Sequence, residues 1–374
     1  MFKVGTPVSL EDFIDRKEEL KLLKLYLQEC GNQSVMLHAP RRFGKTSLIK
    51  ESFRQITEKN SYLLYFDFKH YSSLEHLAKD IIEKLYELFG ISKFWDTFKS
   101  GVISFLRHIK PKLSMHIYKI VELSIEPLET MAQEKDEVTL FIKSIELLQV
   151  LASSARVELK VAFDEFQDLC TLTKDTRIID KLRSTVQQQN NVAYIFCGSQ
   201  ETLMNQMFLN KRSAFFHFSR IMSLGALDKT ELTNYIVTKF VHIKVKLDLE
   251  ALNKILDELD CHPYYSMKAM QILHGFIVMH KIHIANASTI NKAFDLAYQE
   301  TRSYLEDIIN YIKNKSHHLH VLISIAKNIP SNLEPLTNYR IKQSLVNMGL
   351  IASKSRGNYI IIDSFLKKYL SEMN

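Results

Sequence analysis

The chain has 374 residues and 46% of them are hydrophobic, which predicts two or three domains with real apolar cores and excludes a wholly disordered polypeptide. Cys30, Cys170, Cys197 and Cys261 are too scattered for a disulfide framework or a zinc site, so a reducing, cytoplasmic compartment is expected. The first residues lack a signal pattern and no uninterrupted apolar run is long enough to span a bilayer, so no membrane partner is expected.

The first predicted element is a helix that continues to Leu27. Asp15 is predicted to be its N-cap, with Glu18 as the capping-box partner three residues later. The short apolar run that follows, within 34–38, predicts the first core strand.

Residues 39–46 read Ala-Pro-Arg-Arg-Phe-Gly-Lys-Thr and lie between this strand and a helix-like stretch at 47–53. Strand, loop and helix in this order predict a phosphate-binding loop, in which backbone N–H groups and the helix dipole face an anion. Lys45 is then expected to reach the β/γ-phosphates, and the Thr46 hydroxyl to bind Mg²⁺. Ala39 occupies a position that is usually glycine, which is tolerable if it keeps a negative φ.

The next stretch predicts a strand at 62–68 and a helix at about 74–89. Residues 91–135 are interpreted as an insertion with a hairpin at 112–125, followed by a helix at 136–153.

A second half of the site is predicted where an apolar strand at 159–163 ends in two carboxylates, Asp164 and Glu165. We expect Asp164 to hold Mg²⁺, directly or through water, and Glu165 to act as the general base that polarises the attacking water. Ligands of open α/β sheets bind beyond the carboxyl ends of the strands, so the loop and the acidic pair are expected to meet.

A helix at 176–188 and a buried strand at 192–197, which ends at Gly198-Ser199, complete an alternation that predicts a parallel α/β sheet. The pattern changes after about residue 228. The following segment is predicted to be wholly helical, with helices at 229–243, 248–259, 264–280 and 288–305.

The last segment predicts a winged helix-turn-helix: helices at 306–327 and 337–348, then strands at 350–353 and 359–362. From 310 to 374, nine Lys/Arg against three Asp/Glu leave 9 − 3 = +6 of the chain's net charge of +7. Arg340, Lys342, Lys354 and Arg356 suit phosphate contacts, which favours double-stranded DNA as a partner. Four solvated charges, or a module that docks a protein, are the competing interpretations.

Taken together, the chain resembles the archaeal-type ATPases of the AAA+/STAND group. The motifs that carry the resemblance are those at 13–20, 40–46, 163–165, 197–199 and 262–263. The resemblance implies an AAA+-like P-loop NTPase core at 1–228, a helical lid at 229–305 and a winged helix at 306–374. It also implies an ATP-hydrolysing switch or motor that holds ATP and Mg²⁺ between core and lid. The competing function is a signalling or scaffold ATPase, and a homo-oligomer is compatible with either.

The resemblance also implies the roles of several residues. Phe13, Ile14 and Arg16 would lie near the adenine, and Ser199 would be the polar sensor beside the γ-phosphate. His262 and Pro263 would be the lid's contact with the nucleotide, where Cys261 replaces a frequent glycine. The nucleotide-binding loop would comprise Pro40, Arg41, Arg42, Phe43, Gly44, Lys45, Thr46 and Ser47.

Two sets of arginines have alternative interpretations. Arg41 and Arg42 face either the phosphates or solvent. Arg220, just before the expected fifth strand, resembles the family's arginine that stabilises transition-state charge within its own chain or on a neighbouring subunit, or it is a surface residue.

Overall fold

The structure is a computed structural model that describes residues 2, 4–5, 12–28, 34–56, 60–98, 137–199, 204, 207–208, 213, 215, 218–355 and 357–373, with only the backbone for 90–98. The predicted hairpin at 112–125 and the predicted DNA contact Arg356 lie outside the described residues.

A five-stranded parallel sheet of order β2-β3-β4-β1-β5 forms the centre of the first part of the chain. Its strands are β1 Ser34–His38, β2 Ser61–Asp67, β3 Glu158–Asp164, β4 Val192–Gly198 and β5 Ser219–Ser223. Because all five strands are parallel, their carboxyl ends lie at one edge. The pairings His38 with Gly198 and Asp67 with Asp164 therefore bring the phosphate-loop, acidic and Ser199 segments together.

Helices cover both faces of this sheet: α1 Lys17–Gln28, α2 Lys45–Gln55, α3 Leu74–Phe98, α4 Glu137–Ala155 and α5 Ile178–Gln187. Neighbouring residues of β3 belong to different cores, since Val161 packs with α3 and α4 whereas Ala162 packs with α1 and α2. Burial on both faces explains why β3 is a continuous apolar run rather than an alternating one.

The helix α4 is long and apolar enough, by length and composition, to cross a membrane. Most of its apolar residues are instead buried against α3 and the sheet, including Phe141, Ile145 and Leu148. This helix is therefore a core helix of the sheet domain.

The four predicted helices of the second part are α6 Lys229–His242, α7 Leu249–Glu258, α8 Pro263–His280 and α9 Ala287–Lys313, but the prediction that this part is wholly helical was wrong. Two short strands, β6 Lys246–Leu247 and β7 Ile284–Ala285, pair in parallel between these helices. The predicted break between helices at 305/306 was wrong, because α9 continues through it. No glycine or proline interrupts α9 there, and Leu305, Ile309 and Ile312 extend its buried stripe.

The last part consists of α10 His318–Lys327, α11 Pro335–Asn347, the antiparallel strands β8 Ile351–Ser355 and β9 Asn358–Ile361, and α12 Ser364–Glu372. It shares one continuous hydrophobic core with α6–α9. The ring of Phe365 lies 4.5 Å from that of Tyr265, and Ser364 Oγ donates to Leu259 O at 2.7 Å. The lid and the C-terminal part are thus packed as one unit.

Two local predictions near the chain start and in the first crossover need correction. Asp15 does not cap α1: the helix begins at Lys17, Asp15 has a φ of 57°, and its carboxylate accepts from Asp228 N at 2.8 Å. A tertiary partner thus replaces the local cap. The helix α3 ends at Phe98, not near 89, because the segment after Phe89 contains no proline and Gly90 is accommodated within the helix.

Candidate active site

The loop between β1 and α2 has the backbone of a phosphate-binding loop. Gly44 has a φ of 88° and directly precedes α2, a conformation that glycine adopts without strain. Ala39 keeps a negative φ, so the methyl group at this position is tolerated as expected. Lys45 is buried, and its Nζ donates to the carbonyl oxygens of Ala39 at 2.8 Å and Pro40 at 3.1 Å. The ammonium group is therefore held over the loop that would surround the phosphates.

The Thr46 hydroxyl and the Asp164 carboxylate are in direct contact. Thr46 Oγ1 donates to Asp164 Oδ2 at 3.0 Å, and Tyr65 OH donates to the same oxygen. Burial, followed by the Asp164 charge, raises the pKa of Tyr65 well above its usual range, so Tyr65 remains a donor. Glu165 N donates to Asp164 Oδ1 at 2.9 Å. These contacts fix the orientation of Asp164 next to the phosphate loop.

Glu165 is held by three donors. Lys69 Nζ lies 2.8 Å from Oε1, while Gln167 Nε2 and Ser199 Oγ each donate to Oε2 at 2.6 Å. Burial alone would raise the pKa of Glu165, but these three hydrogen bonds outweigh it and lower the pKa to about 2. Its backbone is left-handed, with a φ of 50°, a strained conformation for a side chain of this size.

Residues at the end of β4 also help to position the Glu165 carboxylate. A Cβ at Gly198 would lie 2.6 Å from Gln167 Oε1 and from the Met204 side chain, so a larger residue here would displace these side chains. Glycine at this position leaves room for Gln167, which donates to the same Glu165 oxygen as Ser199. The predicted sensor Ser199 therefore contacts Glu165 and is not among the cavity-lining residues.

A cavity of about 460 Å³ opens at this edge of the sheet, between the core and the lid. One end is polar, and its walls are Arg41, Arg42, Phe43, Gly44, Lys45, Thr46, Ser47, Lys69, Asp164 and Glu165. The other end is mostly apolar apart from Asp12 and Arg16, and its walls are Val4, Gly5, Asp12, Phe13, Ile14, Arg16, Leu227, Tyr235, Pro263, Tyr264 and Met267. A polar end with phosphate-loop geometry and an apolar end of this kind match the two halves of a nucleotide.

The N-terminal segment reaches this cavity because it is attached to the lid. Asp12 is buried and accepts from Tyr235 OH at 3.0 Å and from Lys239 Nζ at 2.8 Å, both on α6. Arg16 is also buried, and its guanidinium donates to Gly225 O. Phe2 packs in the lid core, with its ring 5.4 Å from that of Phe240.

At the lid, Pro263 lines the cavity but His262 does not. The His262 ring is buried 4.6 Å from the Phe43 ring of the phosphate loop, and its Nδ1 accepts from Tyr264 N at 3.2 Å. Burial, with the nearby Arg42 charge, lowers the pKa of His262 to about 3, so the ring is neutral. Cys261 has a φ of 48°, the left-handed geometry for which glycine is better suited.

Arg42 links the phosphate loop to the lid. Its guanidinium lies 4.3 Å from the centre of the Tyr264 ring on α8 and 5.3 Å from that of Tyr304 on α9. Arg41 and Arg42 are both exposed to solvent, and both also line the cavity. Neither of the two arginines is therefore assigned to solvent alone or to the phosphates alone.

Arg220 lies within β5 rather than before it, opposite Val35 in the sheet register. This places it three residues, about 10 Å, short of the carboxyl edge marked by His38. Its guanidinium lies 4.7 Å from the centre of the Tyr26 ring, and it does not line the cavity. Arg220 therefore belongs to the outer edge of the sheet in its own chain.

The described residues among the predicted DNA contacts lie on α11 and β8. Arg340 and Lys354 are exposed, whereas Lys342 is partly buried with its Nζ 5.0 Å from the centre of the Tyr359 ring.

Several site residues escaped sequence reasoning. Lys69 and Tyr65 bind the acidic pair from β2 and the turn after it, and Gln167 binds Glu165 from the following 3₁₀ turn. No short motif marks these residues. Knowing that β2 pairs with β3 would have placed these residues next to Asp164 and Glu165.

The sheet order, the loop after β1 and the acidic pair after β3 define a P-loop ATPase of the AAA+ type. Residues 13–268, more than half of the chain, match the family described as ATPase domain predominantly from Archaea, so the chain belongs to that family. This confirms the resemblance drawn from the motifs. No curated protein matches the chain.

Solved structures with the same fold include the Walker-type ATPase PABY2304 of Pyrococcus abyssi, with 16% identity, a TM-score of 0.68 and 99% coverage of both chains. The Aeropyrum pernix ORC2 protein, solved as ADPNP–ADP complexes, has 14% identity and a TM-score of 0.60, and covers 100% of this chain and 97% of its own. The Aeropyrum pernix ORC1 protein in complex with DNA has 11% identity and a TM-score of 0.50, with 98% and 94% covered.

Proposed function

We propose that the protein binds ATP with Mg²⁺ in the cavity between core and lid, and that hydrolysis drives a switch or motor acting on double-stranded DNA. The contact that carries the ATPase part is the one between Thr46 and Asp164, because it joins the phosphate loop to the acidic strand end. A hydroxyl beside a carboxylate provides oxygen ligands that suit Mg²⁺ when phosphate oxygens complete its shell. Bound there, the ion would neutralise charge on the phosphates.

Side chains of the protein would bind the phosphates and the adenine and orient the attacking water. Lys45, above the loop, would bind the phosphate oxygens, and the adenine would occupy the apolar end beside Phe13, Ile14 and Met267. Glu165 would orient the attacking water. Its Oε2 already accepts from Gln167 and Ser199, so Oε1, which accepts from Lys69, has the remaining lone pair for that water.

Lid contacts provide a route from the nucleotide to the C-terminal part. Arg42 of the phosphate loop touches α8 and α9, and Tyr265 on α8 donates to Asp363, which caps α12. Since the lid and the C-terminal part share a core, a change in the core–lid angle on hydrolysis would move both as one body.

DNA is the favoured partner because of the element order and charge of the C-terminal part. Two helices, a two-stranded antiparallel wing and a final helix have the order of a winged helix, and Arg340 and Lys354 are exposed on its second helix and wing. The Arg340→Ala/Lys354→Ala variant should weaken duplex binding and lower the slope of log K against log salt by about 2. Lys21→Ala/Lys174→Ala, on exposed lysines of the core, is the control. An unchanged slope would remove DNA from the proposal.

A protein partner is the second candidate, and exposed apolar residues on the same helix favour it. Leu336 and Tyr339 are each 58% exposed beside Arg340. In that case Leu336→Ser/Tyr339→Ser would abolish nucleotide-dependent capture of a partner, and duplex DNA would not accelerate ATP hydrolysis.

The direct test of the ATPase site is Lys45→Ala. The variant should lose ATP binding and turnover while keeping the unfolding cooperativity of the parent. Parent-like hydrolysis would refute the assignment. For Arg220, a role in a neighbouring subunit predicts that the specific ATPase rate rises with protein concentration and that Arg220→Ala removes this rise.

A further inference from the structure

Two segments of the lid combine apolar residues with lysine and histidine. One covers 241–247, Val-His-Ile-Lys-Val-Lys-Leu, and the other covers 278–285, Val-Met-His-Lys-Ile-His-Ile-Ala. They begin in the last turns of α6 and α8, and strands β6 and β7 join them, with Lys246 paired to Ile284. Lys246 N donates to His283 O at 3.0 Å. We call these two paired segments the lid tip.

The lid tip lies at the end of the lid opposite the nucleotide cavity. Both α6 and α8 start at the cavity, where Leu227 and Pro263 line its apolar end. The last residues of α6 and α8 that line the cavity are Tyr235 and Met267, and from them the helices carry the chain about 10 and 20 Å farther. The lid tip is therefore separate from the site described above.

Large aliphatic side chains of the lid tip face solvent. Met279 is 70% and Ile284 67% exposed, and Val241, Ile243 and Val278 are exposed as well. Aliphatic exposure at several positions on one small structure is unusual for a surface without a partner. The internal core of the lid does not need these residues, since Val245 and Ala285 fill it from the same segments.

The charge of the lid tip has one sign. Lys244, Lys246 and Lys281 are all exposed, and the sequence of the two segments contains no aspartate or glutamate. The partner that fits must therefore be anionic at its surface and apolar immediately below it.

We propose that the lid tip binds peripherally to an anionic lipid surface, with Met279 and Ile284 entering the headgroup boundary and the three lysines paired with lipid phosphates. An anionic bilayer satisfies both requirements, because its charged headgroups cover hydrocarbon. Duplex DNA satisfies the charge alone, since its backbone offers no apolar surface to aliphatic side chains. Peripheral binding of this kind needs no membrane-spanning segment.

The test is co-sedimentation of the full chain with vesicles of phosphatidylcholine, with or without phosphatidylglycerol. The protein should pellet with the phosphatidylglycerol vesicles and stay in solution with pure phosphatidylcholine. Lys244→Gln/Lys246→Gln/Lys281→Gln should weaken binding by about 100-fold. The matched control, Lys21→Gln/Lys143→Gln/Lys174→Gln, removes the same charge from exposed lysines of the core and should change binding less than about twofold.

The apolar contribution is tested by Met279→Ser/Ile284→Ser, which should make the remaining vesicle binding disappear as salt is raised. An unchanged ATPase rate in these variants shows that they are folded. Absence of binding by the parent chain, or equal loss in the core control, would overturn the proposal. So would loss of duplex DNA binding in the lysine variant without any vesicle binding, which would assign the lid tip to nucleic acid.

Discussion

Thr46 and Asp164 are 118 residues apart in the chain, yet the Thr46 hydroxyl donates a hydrogen bond of 3.0 Å to Asp164 Oδ2. Parallel pairing of the strands sets this contact, since the loop after β1 and the end of β3 lie at the same sheet edge with β4 between them. Tyr65 OH, from β2, donates to the same oxygen. Three segments of the chain thus determine the position of one carboxylate.

If this pair holds Mg²⁺, Thr46→Val should lower the ATPase rate by about 100-fold or more. Thr46→Ser keeps the hydroxyl and should retain most of the activity. The measurement is the steady-state rate over a magnesium titration. A Thr46→Val enzyme with the parent's magnesium dependence would show that the hydroxyl is not a ligand.

Glu165→Gln should bind ATP as the parent does and lose turnover by about 100-fold or more, because the amide cannot accept a proton from water. Single-turnover hydrolysis and nucleotide affinity separate the two effects. Asp168→Asn is the control, since it neutralises a nearby carboxylate in the 3₁₀ turn Phe166–Thr171 that does not line the cavity. Parent-like turnover in Glu165→Gln would exclude it as the base.

Lys69→Met should change the pH dependence of stability. The folded-state pKa of Glu165, about 2, lies below its ordinary value of 4.5, so the ionised carboxylate stabilises the fold above about pH 4.5. That contribution is lost as the pH falls toward 2. Without Lys69 the folded-state pKa rises, and the variant should be less stable at pH 7 by about 1 kcal/mol, since Lys69 is partly exposed.

The deficit of Lys69→Met should shrink as the pH is lowered from 4.5 toward 2, and Lys69→Arg should restore stability at pH 7. The measurement is the free energy of unfolding of parent and variants, obtained from urea titrations at several pH values. A deficit that is constant with pH would mean that Lys69 acts through packing and not through the charge of Glu165.

Gly198→Ala should lower the free energy of unfolding by about 1–3 kcal/mol, because the new Cβ would meet Gln167 and Met204 at 2.6 Å. It should also lower the ATPase rate, since Gln167 holds Glu165. Gly225→Ala is the matched control: a Cβ there meets nothing within 4 Å. Equal free energies of unfolding of the two variants would show that the structure around Gly198 accommodates the extra Cβ at little cost.

Local sequence was sufficient for elements whose signal is continuous. The strands β1, β3 and β4 and the helices α6, α7 and α8 lie close to their predicted positions, because burial on both sheet faces and regular helical periodicity leave strong patterns. Asp15 illustrates the limit. It has the type and spacing of a capping residue, but its carboxylate binds the backbone of Asp228, a partner 213 residues away.

The sequence by itself determined the class of chemistry. The phosphate loop and the acidic strand end are each formed by consecutive residues, so each can be recognised from a short stretch of sequence. Only the tertiary structure decided which side chains surround Glu165, where Arg220 and His262 lie, and how the lid and the C-terminal part share a core. Those contacts join residues from separate segments. They depend on strand register and helix packing, for which no short stretch of sequence carries a signal.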